Sequence, residues 1–563
     1  MRGPVQLSGT GTSAVVVDEF WLPTHGGDAA VARFRPADDP AGARSRTGVL
    51  IVGGIIHEHQ TMAVGAVTLA RQLAEHDIVA MTIDLAGTAQ GAVELDAPDI
   101  GVRWDDEIRA AVRFLRGSGL QHVVVVGIRL GALIAAHATV DDPVDQLVMW
   151  APVLSGRRYV RELQIMQASA TEQTGPSRPG ITVAGFTVPP TLVDHLKSLD
   201  AAKLDGKPAS SVCFVDTAER LAELDRSHPL LEALPVETVE APETERWLFT
   251  DADLFPVPFG DVTRGRRHVE RVAASFDDDA TPPPADGTST IDAADPVSTS
   301  HVLEHDGVAI RETFVVFGDG ALRGILSEPV GPVDPAASYV TVTSVGPGRI
   351  FVDFARREAA RGRVSLRFEL GGFGTSSPPA RHAWAEFYHP TASDQIAAAV
   401  DLLLGRGHGG VTVVAFCAGA WSALQMTPRP EVAGIVAVNA QLLIRTRLLH
   451  RRPAPDHGRR HRWLLAVGGH PEVRRFVKKA EREFPWPSPA IRWVGRHVAA
   501  GTRVTLVYAE GDPGYDYFLA RSRRPGGLRR RTAQPDVHVY PGLGHLPTGN
   551  ARDHVLDDIH DLA

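Results

Sequence analysis

The chain has 563 residues, of which 44% are hydrophobic and 22% charged, with a formal net charge of −9. That length suits two domains, because single hydrophobic cores rarely grow past about 250–300 residues. The mild acidity argues against nucleic acid as a partner. The presence of only two cysteines, Cys213 and Cys417, argues against a disulfide-built secreted scaffold, and both are expected as thiols. No stretch has signal-peptide character, and none nears the roughly 20 apolar residues that span a bilayer, so the expectation is a soluble, cytoplasmic protein without a transmembrane segment.

In chain order, a strand-rich segment (15–36) has hairpin character and precedes the buried-strand run GVLIVGG (48–54). A helical stretch (64–76), a second strand run IVAMTIDLAG (78–87) and a helix around 104–117 follow. Two further strands, HVVVVGIRLGA (122–132) and VDQLVMWAP (144–152), then lead to SVCFV (211–215). Residues 277–300, DDDATPPPADGTSTIDAADPVSTS, are nearly free of large apolar side chains, and such a stretch cannot offset its ordering entropy by burial. It is the expected interdomain linker.

After it the same order returns. A hairpin segment with a GDG turn (308–329) precedes YVTVTSVGPG (339–348), a helix (351–362), RVSLRFELGG (363–372) and a helix (393–407). VTVVAFCAGA (411–420) and VAGIVAVNA (432–440) complete the match, at near-constant spacing from the first half. Alternating strands and helices imply an α/β fold, with a mostly parallel sheet covered by helices on both faces. The repeat implies a tandem duplication: residues 1–276 form one domain and 301–563 another, joined by the linker 277–300.

Chemistry concentrates in the second half. Ala415-Phe416-Cys417-Ala418-Gly419 follows a strand and opens a helix, the small-x-nucleophile-x-small pattern of a nucleophile elbow. Such a bend lifts the nucleophile above the strand ends, and a helix N-terminus beside the sulfur favours thiolate. A buried small hydrophobe is the bland reading of the same cysteine. Downstream, VTLVYAEGD (504–512) ends at Asp512 and DVHVYPGLGH (536–545) ends at His545, giving the chain order nucleophile, acid, base. Asp512 would orient the imidazole, and His545 would take and return the proton. Glu510 and Asp516 are rival acids, and His538 is a histidine inside a strand. The backbone N–H of Ala418, with a second donor around Val345 and Gly346, would form the oxyanion hole.

The FCAGA elbow, the GGFG turn at 371–374, EGD at 510 and GLGH at 542 resemble the α/β-hydrolase superfamily. More narrowly, both halves resemble bacterial serine-aminopeptidase-like hydrolases, including those of exopolysaccharide and exosortase loci, and the cysteine elbow resembles dienelactone hydrolases. Ala415 departs from the commoner glycine. The resemblance implies two tandem α/β-hydrolase domains.

In the first half the elbow reads Gly127-Ile128-Arg129-Leu130-Gly131, with Arg129 at the nucleophile position. A guanidinium stays protonated and cannot attack a carbonyl. Asp216 falls in the acid region, and His268 lies in a basic helical stretch well past the last strand. This half is therefore expected to be a degenerate, non-catalytic copy. Arg129 would be a structural arginine paired with a carboxylate or, on the sharper reading, an anion site. His57-Glu58-His59, placed in the loop after the first strand, lacks metal-binding spacing, and no metal or cofactor is expected. Basic stretches at 445–463 and 521–531 are either solvated surface or a means of steering an anionic substrate.

The expected activity is acyl hydrolysis or acyl transfer from a small-molecule ester or thioester, including carrier-bound or anionic acyl donors, through an acyl-Cys417 intermediate. The alternative is a pseudo-hydrolase that binds ligands or scaffolds an assembly.

Overall fold

The computed structural model describes residues 15–38, 45–169, 179–183, 186–224, 228–245, 258–278, 297–343, 349–376, 391–442, 489–522, 534–541 and 550–562. The chain divides into two compact units, Met1–Ile165 with Val188–Thr299, and Met166–Thr187 with Ser300–Ala563. The helix Phe259–Asp278 runs into the expected linker, and a strand begins at Ser300, where that linker ends. Residues 279–296 lie outside the described residues. Among the described residues no helix is long and apolar enough to cross a membrane.

The first unit is built on β1 (Val15–Leu22), β2 (Ala29–Pro36), β3 (Thr47–Val52), β4 (Val79–Asp84), β5 (His122–Ile128) and β6 (Val144–Trp150). A two-stranded ribbon, β7 (Ile181–Val183) with β8 (Phe186–Val188), falls almost wholly in the segment grouped with the second unit, and the first unit resumes with β9 (Ala209–Asp216) and β10 (Val236–Glu240). The main sheet runs β1-β2-β4-β3-β5-β6-β9-β10. Its first two pairings are antiparallel and the rest are parallel. Strands buried on both faces must be apolar throughout, which is why β3 and β5 read as continuous runs and not as alternations. One face packs Val49, Ile51, Val124, Val126 and Trp150 against Leu69 and Leu73 of the helix His57–Ala74 and Val262 and Val269 of Phe259–Asp278.

The second unit repeats the plan with β11 (Ser300–His305), β12 (Val308–Phe317), β13 (Leu322–Pro329), β14 (Ser338–Thr343), β15 (Val364–Glu369), β16 (Val411–Phe416), β17 (Val432–Val438), β18 (Arg503–Ala509) and β19 (Asp536–Tyr540). Its order is β11-β12-β13-β15-β14-β16-β17-β18-β19. From β12 onward this matches the first sheet strand for strand, and the extra edge strand β11 was not expected. The GDG turn between β12 and β13 has positive φ at Gly318, Asp319 and Gly320. The fold class is the expected one: α/β, with two mostly parallel sheets, each flanked by helices.

The copies also share their strained points. Arg129 and Cys417 both have positive φ, as do Ala151 and Asn439 at the ends of β6 and β17. The peptide N–H of Ala151 donates to Val215 O and that of Asn439 to Val507 O, each at 2.8 Å. The two units differ beneath the sheet. Glu312 on β12 is fully buried and accepts hydrogen bonds from Arg356 (2.9 Å), Arg367 (2.6 Å) and Ser327 (3.0 Å). Burial alone would raise its pKa, but the two guanidinium groups outweigh burial and hold the carboxyl well below its usual range. By strand register the first unit has Val17 and Phe34 at the places of Glu312 and Ser327.

Candidate active site

Cys417 sits where β16 ends and the helix Cys417–Gln425 begins, with φ 46°. A non-glycine residue held there costs on the order of 1–3 kcal/mol and persists only where its surroundings enforce it. Crowding around both elbows explains the small neighbours. A Cβ at Gly131 would lie 2.3 Å from Gly53 O, and one at Gly127 would lie 2.3 Å from Ala132 Cα. The second elbow is less crowded: a Cβ at Gly419 would meet Val342 O at 3.1 Å, and Ala415 is accommodated fully buried. Cys417 is half-buried, against a cluster that includes Val414, Phe416 and Val438. Cys213, by contrast, is sealed in the first core, where burial pushes its thiol up to about 12. No disulfide joins the two.

The sheet order β16-β17-β18-β19 sets the carboxyl ends of parallel strands side by side. Asp512 follows β18, two strands from the elbow, and is buried, whereas its rivals Glu510 and Asp516 are exposed. Its Oδ1 accepts from the N–H of Gly514 at 2.7 Å, so Asp512 also caps the helix Pro513–Ser522. A second donor, Gln441 Nε2, lies 3.4 Å from the same oxygen. His538 lies within β19. His545 falls outside the described residues, as do Val345 and Gly346. Ala418 is buried in the first turn of the helix that Cys417 opens, among the amides that lack an intrahelical acceptor.

In the first unit Arg129 takes the same bend, with φ 55° and ψ −121°. Its Nε donates to Glu58 Oε1 and its Nη2 to Glu162 Oε2, both at 2.8 Å, and its guanidinium lies 6.0 Å from the Tyr159 ring. Burial pulls this guanidinium's pKa down, yet Glu58 and Glu162 reverse that and raise it. His57, Glu58 and His59 are not in a loop, as the sequence suggested. They open the helix His57–Ala74, and Glu58 is engaged by Arg129. Burial also pushes His57 below the usual imidazole range. Among the described residues no group of three or more His, Cys, Asp or Glu is placed to hold a metal ion.

Asp216 ends β9, buried, its carboxyl raised by that burial and its Oδ1 bonded to Thr217 N. His268 is buried on the helix Phe259–Asp278, with Nε2 2.9 Å from Gln146 Oε1 on β6. The basic stretch 445–463 lies outside the described residues. Of 521–531 only Arg521 and Ser522 are described. Arg521 is buried over the Tyr517 ring, so it is not part of a solvated charge patch. Glu162, Tyr159 and Gln441 were not singled out from the sequence, because each acts on a partner far away in the chain, and Gly514 was missed although its partner Asp512 is only two residues away.

No protein-family model and no curated protein matches this chain. Solved structures do. The esterase domain of a Rhodothermus marinus protein is 16% identical, with 45% of this chain and 96% of that one covered and a TM-score of 0.27. A cold-adapted esterase from an Arctic intertidal metagenomic library is 12% identical, with 46% and 96% covered and a TM-score of 0.28. An alpha-beta serine hydrolase homologue from Coxiella burnetii is 9% identical, with 46% and 96% covered and a TM-score of 0.26.

Proposed function

We propose that the second domain transfers acyl groups from an ester or thioester, to water or to another acceptor, with Cys417 as nucleophile. The observation that carries this reading is a half-buried thiol on a left-handed strand-to-helix bend, at the same sheet end as the buried carboxylate of Asp512. The thiolate would attack the carbonyl carbon after His545 takes its proton. The oxyanion would be met by the N–H of Ala418 and a donor around Val345 and Gly346. Collapse expels the alkoxide or thiolate, which receives the proton from His545. His545 would then take the proton of an attacking water or other nucleophile, and collapse would release the acylated acceptor and the Cys417 thiolate, which His545 reprotonates.

The first domain would be a non-catalytic copy. Its nucleophile position holds an arginine already paired to Glu58 and Glu162, which supports the structural reading of Arg129 over an anion site.

The test uses the full chain with p-nitrophenyl acetate and acetyl thioester probes. Turnover is expected to fall at least about a thousandfold in Cys417→Ala, the scale of a lost nucleophile, and to persist in Arg129→Leu if that variant folds. Intact-mass and peptide mapping should find the acyl adduct on Cys417 alone. Unchanged turnover in Cys417→Ala would refute the assignment of Cys417, and a wild-type chain with neither turnover nor adduct would leave a binding or scaffold protein.

A further inference from the structure

We infer that Gln441 is a positioning residue for the Asp512 carboxylate, and that Asn439 and Gly514 complete the seat in which the acid is held. This inference rests on the proposed Cys417 chemistry.

The chain leaves β17 through Asn439, Ala440 and Gln441, beside the point where β18 gives way to Asp512. Asn439 is fully buried with φ 47°, a conformation that asparagine tolerates better than most residues. Its Oδ1 accepts from Ala509 N at 2.8 Å. That bond prolongs the pairing of β17 and β18 by one side chain and fixes where the acid loop starts.

Gln441 then reaches the acid itself. Its Nε2 lies 3.4 Å from Asp512 Oδ1 and 3.5 Å from Asn439 O. Both neighbours are acceptors, so the NH₂ end of the amide must face them. Gly514 closes the seat from the other side. A Cβ there would sit 2.9 Å from Asp512 Oδ1 and 2.5 Å from Ala440 O.

The first unit supplies an internal control. By strand register and a shared backbone bond, Ala151 stands where the second unit has Asn439, and two residues further along each chain Val153 falls at the place of Gln441. The positive φ persists at Ala151, but both side chains that could hold an acid are gone. The copy with arginine at its elbow is thus also the copy without this seat. The same scaffold accommodates Ala and Val at these positions, so the corresponding substitutions in the second unit should fold.

The experiment compares wild type, Gln441→Val, Gln441→Glu, Asn439→Ala and Asp512→Asn in the full chain. Readouts are kcat/KM against pH for p-nitrophenyl acetate, the pH profile of Cys417 alkylation by iodoacetamide, and thermal unfolding. Gln441→Val is expected to lower kcat/KM about tenfold, the weight of one hydrogen bond to a charged group, with kcat carrying the loss and Tm little changed. Gln441→Glu sets a like charge beside Asp512, so the acidic limb of the profile should move to higher pH; a purely structural glutamine would not produce this. A Gln441→Val enzyme with wild-type kcat/KM and pH profile, alongside an impaired Asp512→Asn, would overturn the positioning role and leave the triad standing. A wild-type Cys417 that alkylates as an ordinary thiol, without regard to Asp512, would overturn both.

Discussion

The two units share a strand order, a helix plan and even their strained residues, yet they place opposite chemistry on the same bend. At one elbow Arg129 is fixed by Glu58 and Glu162 and stacked near Tyr159. At the other Cys417 stands half-buried, with the seated carboxylate of Asp512 two strands away. A backbone that forces positive φ on one side chain presents that side chain, whatever it is. The scaffold supplies position, and the surrounding carboxylates or amides decide what the position does.

The contrast extends into the cores, and this is where it can be broken most easily. Glu312→Ala leaves Arg356 and Arg367 buried without their shared carboxylate. The second unit should lose about 3–5 kcal/mol, the usual cost of removing one partner from a buried ion cluster. Urea unfolding followed by hydrogen exchange should show the loss in that unit, with the first unit unmoved. Equal loss in both would mean that the units do not unfold as separate bodies.

A smaller effect distinguishes Glu107 from its counterpart Gln395. Glu107 Oε2 accepts from Ala86 N, and Gln395 Oε1 accepts from Gly371 N, both at 2.9 Å. Burial pushes Glu107 from 4.5 up to about 8, against the pull of Ala86 N–H and Arg103 and with the push of Asp106 and Asp84. The unfolded chain therefore releases this proton near 4.5 and the folded chain near 8. Stability of the first unit should fall as pH rises through that window and level off above it, by a few kcal/mol at most on the order-of-magnitude scale of such shifts. Denaturation midpoints at pH 5 and pH 8 should show the slope, and Glu107→Gln should flatten it. A wild-type slope no steeper than that of the variant would show that Glu107 is not held protonated.

The last comparison is between the elbows themselves. Gly131→Ala drives a methyl group to 2.3 Å from a carbonyl oxygen, whereas Gly419→Ala brings one only to 3.1 Å. Overpacking of this kind costs about 1–3 kcal/mol, and the first substitution should lie at or above the top of that range, the second near its bottom. The reverse order in Tm would contradict the looser second elbow.

Much of this was legible in the chain. Continuous apolar runs gave the strands, glycine turns the hairpins, and the near-constant spacing the matching order of the two sheets, because burial on both faces leaves a local mark. The elbow was readable for a similar reason, since steric crowding restricts residues adjacent in sequence. Strand β11 was not, because an edge strand with alternating exposure carries a weak apolar signal. The helical setting of His57 to His59 was also missed, and with it the Glu58 pairing that occupies Arg129.

By itself, then, the sequence determined the α/β layering, the matching order of the two halves, and the placing of Arg129 and Cys417 at strand-to-helix bends and of Asp512 after a strand. Only the tertiary structure decided which carboxylates close on Arg129, which amides hold Asp512, and which guanidinium groups hold the buried Glu312 carboxylate. Most of these contacts join residues far apart in the chain. Their energies depend on burial and distance, which no local pattern records.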